Sequence, residues 1–73
     1  MPCVNADGSL TPIAQRVLES ILKKGTVSQI CERSGIPLYR VRSSLRELTA
    51  LGAIQETGEL FEITPHGSEL LSR

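Results

Sequence analysis

Aromatic residues are scarce in this chain: one Tyr, one Phe and no Trp among 73 residues. Any core must therefore be aliphatic, built from the Leu, Ile, Val and Ala that dominate its 40% of hydrophobic residues. That fraction suits a compact domain and argues against a disordered chain. Cysteine is equally sparse. Cys3 and Cys31 are too few for a disulfide framework and lack metal-ligand spacing. Cys31 is expected to be a small, reduced, buried hydrophobe, and Cys3 to lie in a flexible tail without a bond to it. The only histidine, His66, has no cysteine or second histidine as a partner. Ser43-Ser44 has no base at a recognisable spacing, and there is no glycine-rich phosphate loop. Neither catalysis, a metal nor a cofactor is expected. No apolar run approaches a membrane span, and the N-terminus has no apolar signal core, so the expected address is the cytoplasm.

Net charge is also missing, with eight basic and eight acidic residues, but their distribution is uneven. Residues 1–46 hold seven Lys/Arg against three Asp/Glu, whereas residues 47–73 hold one Arg against five Glu. The chain has a basic front and an acidic back. This asymmetry bears on possible partners where the overall pI does not.

At this length the sequence is one domain, near the lower limit for a self-sufficient core. Residues 1–10, "MPCVNADGSL", have no periodicity and read as a flexible N-terminal tail, leaving residues 11–73 as the domain. Thr11-Pro12 pairs a capping hydroxyl with a proline at the first helical position. Ile13, Val17, Leu18, Ile21 and Leu22 then recur at helical spacing, opposite Gln15, Arg16, Glu19 and Lys23. The pattern predicts a first helix with Lys23 and Lys24 in its last turn and a left-handed Gly25 ending it. A second, short helix follows. It opens on the T-x-x-Q capping box of Thr26 and Gln29, sets Val27, Ile30 and Cys31 on one face opposite Ser28, Glu32 and Arg33, and stops at Gly35 before Ile36-Pro37.

A third helix is predicted from about Leu38 to Leu51. Stepping about 100° per residue from Val41 places Leu45, Leu48 and Gly52 within about 40° of it. The opposite side holds Tyr39, Arg42, Ser43, Arg46 and Ala50, with Arg40 at the flank beside Glu47. Gly52 ends the helix. The period then changes. Ile54, the Thr57-Gly58 turn and the alternation of Phe61, Glu62 and Ile63 predict a β-hairpin over 53–63. Thr64-Pro65 repeats the earlier capping signal and starts a short last helix carrying Leu70 and Leu71. The predicted class is mainly α with one hairpin (α+β).

Three helices and then a hairpin, with a short helix, glycine turn and longer helix in the middle, is winged helix-turn-helix order. "SGIPLYRVRSSLRELTALGAI" resembles the helix-turn-recognition helix of small prokaryotic winged-helix regulators of the MarR, PadR and ArsR types. The resemblance is carried by Gly35, Ile36, Val41, Leu45, Leu48 and Gly52. "FEITPHGSELL" is similar to the aromatic-x-aliphatic-Thr-Pro-x-Gly segment that closes the wing in many of them. It implies a three-helix core with a wing and a short C-terminal helix.

The resemblance also implies a DNA-binding transcription regulator that reads double-stranded DNA with the third helix in the major groove. Arg40, Arg42, Arg46 and Ser43 would meet bases or phosphates there, and Tyr39 a phosphate or a thymine methyl. Arg33, Lys23 and Lys24 would add phosphate contacts if the fold brings them to the same side. Two departures stand out. Winged-helix DNA binders usually carry Lys or Arg on the wing, whereas residues 55–62 hold Glu56, Glu59 and Glu62 and no basic residue. No dedicated dimerisation helix is expected, and a monomer making a handful of phosphate contacts binds at about micromolar or weaker. The alternative is a protein-interaction module using the acidic wing or the arginine face, with RNA binding a third reading.

Overall fold

The structure is a computed structural model that describes Asn5 and residues 8–72. Most of the tail read over residues 1–10 lies outside these residues, as does Cys3 and with it the question of a bond to Cys31. The elements run α1 (Pro12–Ser20), α2 (Val27–Ser34), α3 (Leu38–Ala50), β1 (Ile54–Thr57), β2 (Leu60–Ile63) and α4 (Pro65–Leu71).

Each capping signal acts as its chemistry requires. The Thr11 hydroxyl accepts the Ala14 N–H at 3.3 Å with Pro12 at the first helical position. At α2 both arms of the box close: Gln29 N–H donates to Thr26 Oγ1 at 3.4 Å, and Thr26 N–H donates to Gln29 Oε1 at 2.9 Å. Thr64 caps α4 by accepting the Gly67 N–H at 3.2 Å. Gly35 and Gly52 take positive φ, 70° and 78°, where L side chains are strained, and they end α2 and release the chain after α3.

The core is aliphatic, as the composition requires. Val17, Leu18 and Ile21 from the first helical segment, Ile30 from α2, and Val41 and Leu48 from α3 are fully enclosed, closed over by Ile54, Phe61 and Leu70. β1 and β2 pair antiparallel in the register Ile54↔Ile63 to Thr57↔Leu60, across a two-residue tip of Gly58 and Glu59. The hairpin is not isolated. Gly25 bridges Phe61 through two backbone hydrogen bonds, Phe61 N–H to Gly25 O at 2.9 Å and Gly25 N–H to Phe61 O at 3.4 Å. The loop between α1 and α2 thus lies along the hairpin as a minimal third strand.

This bridge corrects the reading of α1. The helix ends at Ser20, before Lys23 and Lys24, and Gly25 is extended and paired rather than left-handed. A helix running to Lys24 would deny Gly25 the geometry it needs to reach Phe61. Leu22, assigned to the buried face, leaves that face with the helix and is 61% exposed. Ala14 takes a core place instead. Cys31 is half-buried rather than buried, and Leu51 lies just beyond α3 and is exposed. Ser44, on the inner flank of α3, is buried. Among the described residues no helix is long and apolar enough to cross a membrane.

Candidate nucleic-acid interface

On α3 the apolar stripe turns Val41, Leu45 and Leu48 inward, which forces the intervening residues out. Tyr39, Arg42, Ser43 and Arg46 stand three or four positions apart, so they share an arc of about 100° on the outer surface. All four are exposed, Tyr39 to 68%. No carboxylate interrupts the arc. Arg42 and Arg46 make no hydrogen bond or ion pair with any described residue, so both guanidinium groups are open to an incoming acceptor. Arg40 is different. It is half-buried at the flank, its Nε donates to the Tyr39 hydroxyl at 3.4 Å, and its guanidinium carbon lies 6.0 Å from the Tyr39 ring centroid. The pair orders the first turn of α3, where no side chain caps the helix.

The remaining basic residues do not join this arc. Arg33 folds back onto the segment after α1, its guanidinium donating to the carbonyls of Lys23 at 2.7 Å, Ser20 at 3.2 Å and Lys24 at 3.4 Å. One is the last carbonyl of α1 and two belong to the loop that follows, so Arg33 ties the helix end to that loop. Lys24 Nζ pairs with Glu62 Oε2 of β2 at 3.2 Å. Lys23 is exposed and borders a groove with Arg16, Leu22 and Arg33, separate from the surface of Arg42 and Arg46.

Between α3 and the hairpin runs an open groove. Arg42, Arg46 and Thr49 form one rim, Glu56 of β1 stands on the other, and Val27 and Phe61 form part of the floor. The wing's three carboxylates differ in circumstance. Glu62 accepts from Gln55 Nε2 at 2.6 Å as well as from Lys24, and these partners, the Gln55 hydrogen bond first, hold its pKa below the usual glutamate value. Glu59, at the tip, borders a second groove with Thr26 and Ser28 at the start of α2, a groove that Glu56 also lines. Glu56 makes no hydrogen bond or ion pair with a described residue.

His66 is exposed in the first turn of α4, and among the described residues no group of three His, Cys, Asp or Glu is placed to hold a metal ion. Sequence reasoning missed the anchoring role of Arg33 and the placement of Glu56 opposite the arginines. Both depend on which loop lies beside which, and no local motif signals that.

No protein-family model matches this sequence, and curated protein sequences give no match. Among solved structures, the chain is similar to BpsR of Bordetella bronchiseptica, whose DNA binding is regulated by 6-hydroxynicotinic acid. The TM-score is 0.84 at 21% identity, over 92% of this chain and 53% of that one. The chain thus spans about half the length of that protein. At this identity the likeness speaks to the fold. Together with the helix order and hairpin it shows a winged helix-turn-helix, as the resemblance drawn from residues 34–54 implied.

Proposed function

We propose that this domain binds double-stranded DNA as part of a transcription regulator, with α3 as the recognition helix in the major groove. The observation that carries the reading is the outer arc of α3. Tyr39, Arg42, Ser43 and Arg46 are exposed together, and both arginines are unengaged by described residues. A helix fits the major groove, and arginine offers two parallel donors to guanine O6 and N7 or to phosphate. The winged helix shared with BpsR, itself a DNA-binding protein, supports the same reading. Within it, Arg42 and Arg46 are the principal contacts, Ser43 and Tyr39 supplement them, and Arg40 steadies Tyr39. Lys23, on a separate groove, is not among the contacts of this reading. Arg33 and Lys24 act by holding the segment before α2, since their charged ends already have partners. Amide chemical shifts recorded during titration with random-sequence duplex DNA test the reading. Perturbations should concentrate on residues 38–46, and a map that leaves α3 unmoved would sink it.

One observation favours a second reading. Glu56 and Glu59 form an acidic edge without partners among the described residues, which suits a basic protein surface better than phosphate. On that reading the wing docks protein, and perturbations under a protein titration would fall on residues 54–63.

A further inference from the structure

Resting on the DNA-binding reading above, we propose that Glu56 is a specificity-determining residue of this domain, repelling phosphate from Arg42 and Arg46 so that the pair engages DNA productively only when base edges are in reach. The starting point is placement. Glu56 stands on β1 across the same groove that Arg42 and Arg46 border, with Thr49 beside them. It is exposed, and because register partners project from one face of a hairpin, it stands on the same face as Phe61, the face that lines the groove. No cation among the described residues neutralises it, whereas Glu62 is matched by Lys24. Glu56 borders both the groove of the arginines and the neighbouring groove at the start of α2, whereas Glu59 borders only the second of the two.

The chemistry follows from what each partner offers. A phosphate approaching Arg42 or Arg46 from the hairpin side brings a second anion toward Glu56, and like-charge repulsion offsets part of the arginine attraction. A guanine edge offers neutral acceptors, O6 and N7, and suffers little of this penalty. A cytosine beside it presents an N4 amino donor that a carboxylate can accept. Glu56 therefore weakens sequence-independent binding more than base-directed binding. Specificity is a difference of affinities, and an element that penalises the wrong contact raises it without adding a right one. A wing of three glutamates then becomes compatible with DNA: Glu62 is paired with Lys24, Glu59 stands at the tip off the groove of the arginines, and Glu56 discriminates.

The test compares wild type with Glu56→Gln, which keeps size and removes charge, and with Glu32→Gln, which removes the same charge from the exposed face of α2. Fluorescence anisotropy on a random-sequence 20-base-pair duplex is recorded at several salt concentrations, alongside the sequence that wild type enriches most from a random pool. Glu56→Gln should tighten random-duplex binding by about threefold at low salt, with the gain shrinking as salt screens the repulsion. The affinity ratio of enriched to random sequence should fall, while Glu32→Gln should shift both affinities together and leave the ratio unchanged. Equal ratios for wild type and Glu56→Gln, or the same loss of ratio in Glu32→Gln, would overturn the proposal. Failure of the underlying reading looks different: Arg42→Ala/Arg46→Ala would then bind the random duplex as wild type does. Circular dichroism and thermal melts on each variant confirm that the exposed substitutions leave the fold intact.

Discussion

Gly67 packs directly against the backbone carbonyl of Ala53, and a β-carbon at position 67 would collide with it. The same β-carbon would lie 2.8 Å from Ile63 Cγ1. The close approach is needed because Thr64 N–H donates to Ala53 O at 3.0 Å and the Thr64 hydroxyl donates to Gly52 O, so the start of α4 is clipped onto the exit of α3. Glycine in a helix ordinarily costs about 1 kcal/mol relative to alanine, so on propensity alone Gly67→Ala would stabilise. Here the obstacle is backbone, which cannot swing aside as a side-chain end can. Gly67→Ala should destabilise by about 3 kcal/mol, the upper end for overpacking. Urea denaturation measures this, and an unchanged or raised midpoint would show that α4 does not sit as described.

The capping box of α2 gives a smaller effect with a clearer internal control. Thr26→Ala removes the acceptor for Gln29 N–H and should cost about 1 kcal/mol. Gln29→Ala removes the reciprocal arm to Thr26 N–H. Because the two arms serve one helix start, the double variant should lose less than the sum of the singles. Strict additivity in thermal melts would mean that the arms act independently.

Glu62 supplies a prediction in pH. Its pKa is held below the ordinary glutamate value by the Gln55 hydrogen bond and then by Lys24. A carboxylate depressed in the folded state adds stability above its unfolded pKa, and that contribution is lost as pH falls through the folded pKa. Loss of the wing contacts to Lys24 and Gln55 should therefore come only in the acid range below the usual glutamate titration. Carboxyl-carbon NMR should give Glu62 a midpoint below the ordinary glutamate value, and Lys24→Gln should raise it. A Glu62 midpoint at the ordinary glutamate value, unmoved by Lys24→Gln, would contradict the pairing.

What was legible in the sequence was local. Thr11-Pro12, Thr26 with Gln29, and Thr64-Pro65 mark three helix starts because a cap needs only residues within one turn. Val41, Leu45 and Leu48 fix the inner face of α3, and with it the outward course of Tyr39, Arg42 and Arg46. The end of α1 was not legible. Two lysines before a glycine look like a helix stop, and only the bridge from Gly25 to Phe61 shows that the chain left the helix at Ser20. The sequence offers Arg33 as a phosphate contact if the fold brings it to the side of α3, and its carbonyl partners are illegible there for the same reason, since they arise from that early exit. The position of Glu56 opposite Arg46 likewise depends on how the hairpin folds against α3, which no window of adjacent residues encodes.

The arginines of α3 carry the most direct test of what this surface meets. Neutralising a phosphate releases condensed counterions, so each such contact adds about −0.9 to the slope of log K against log salt on duplex DNA. If Arg42 and Arg46 both pair with phosphate, replacing both by alanine should flatten that slope by about two units and weaken all sequences alike. If they read bases, the slope should hold nearly constant while preference for the best sequence drops by about 1–3 kcal/mol per site. Both side chains are exposed and lack partners among the described residues, so the double variant should fold with wild-type stability and any loss belongs to binding. Arg33→Ala is the informative contrast. It should lower the melting temperature, because the carbonyls of Ser20, Lys23 and Lys24 lose their donor, yet leave the salt slope of the folded protein unchanged. Should the Arg42/Arg46 variant bind random and selected duplexes with wild-type affinity and slope, the outer face of α3 is ordinary solvated surface, and the acidic hairpin becomes the part of the molecule to probe for a protein partner.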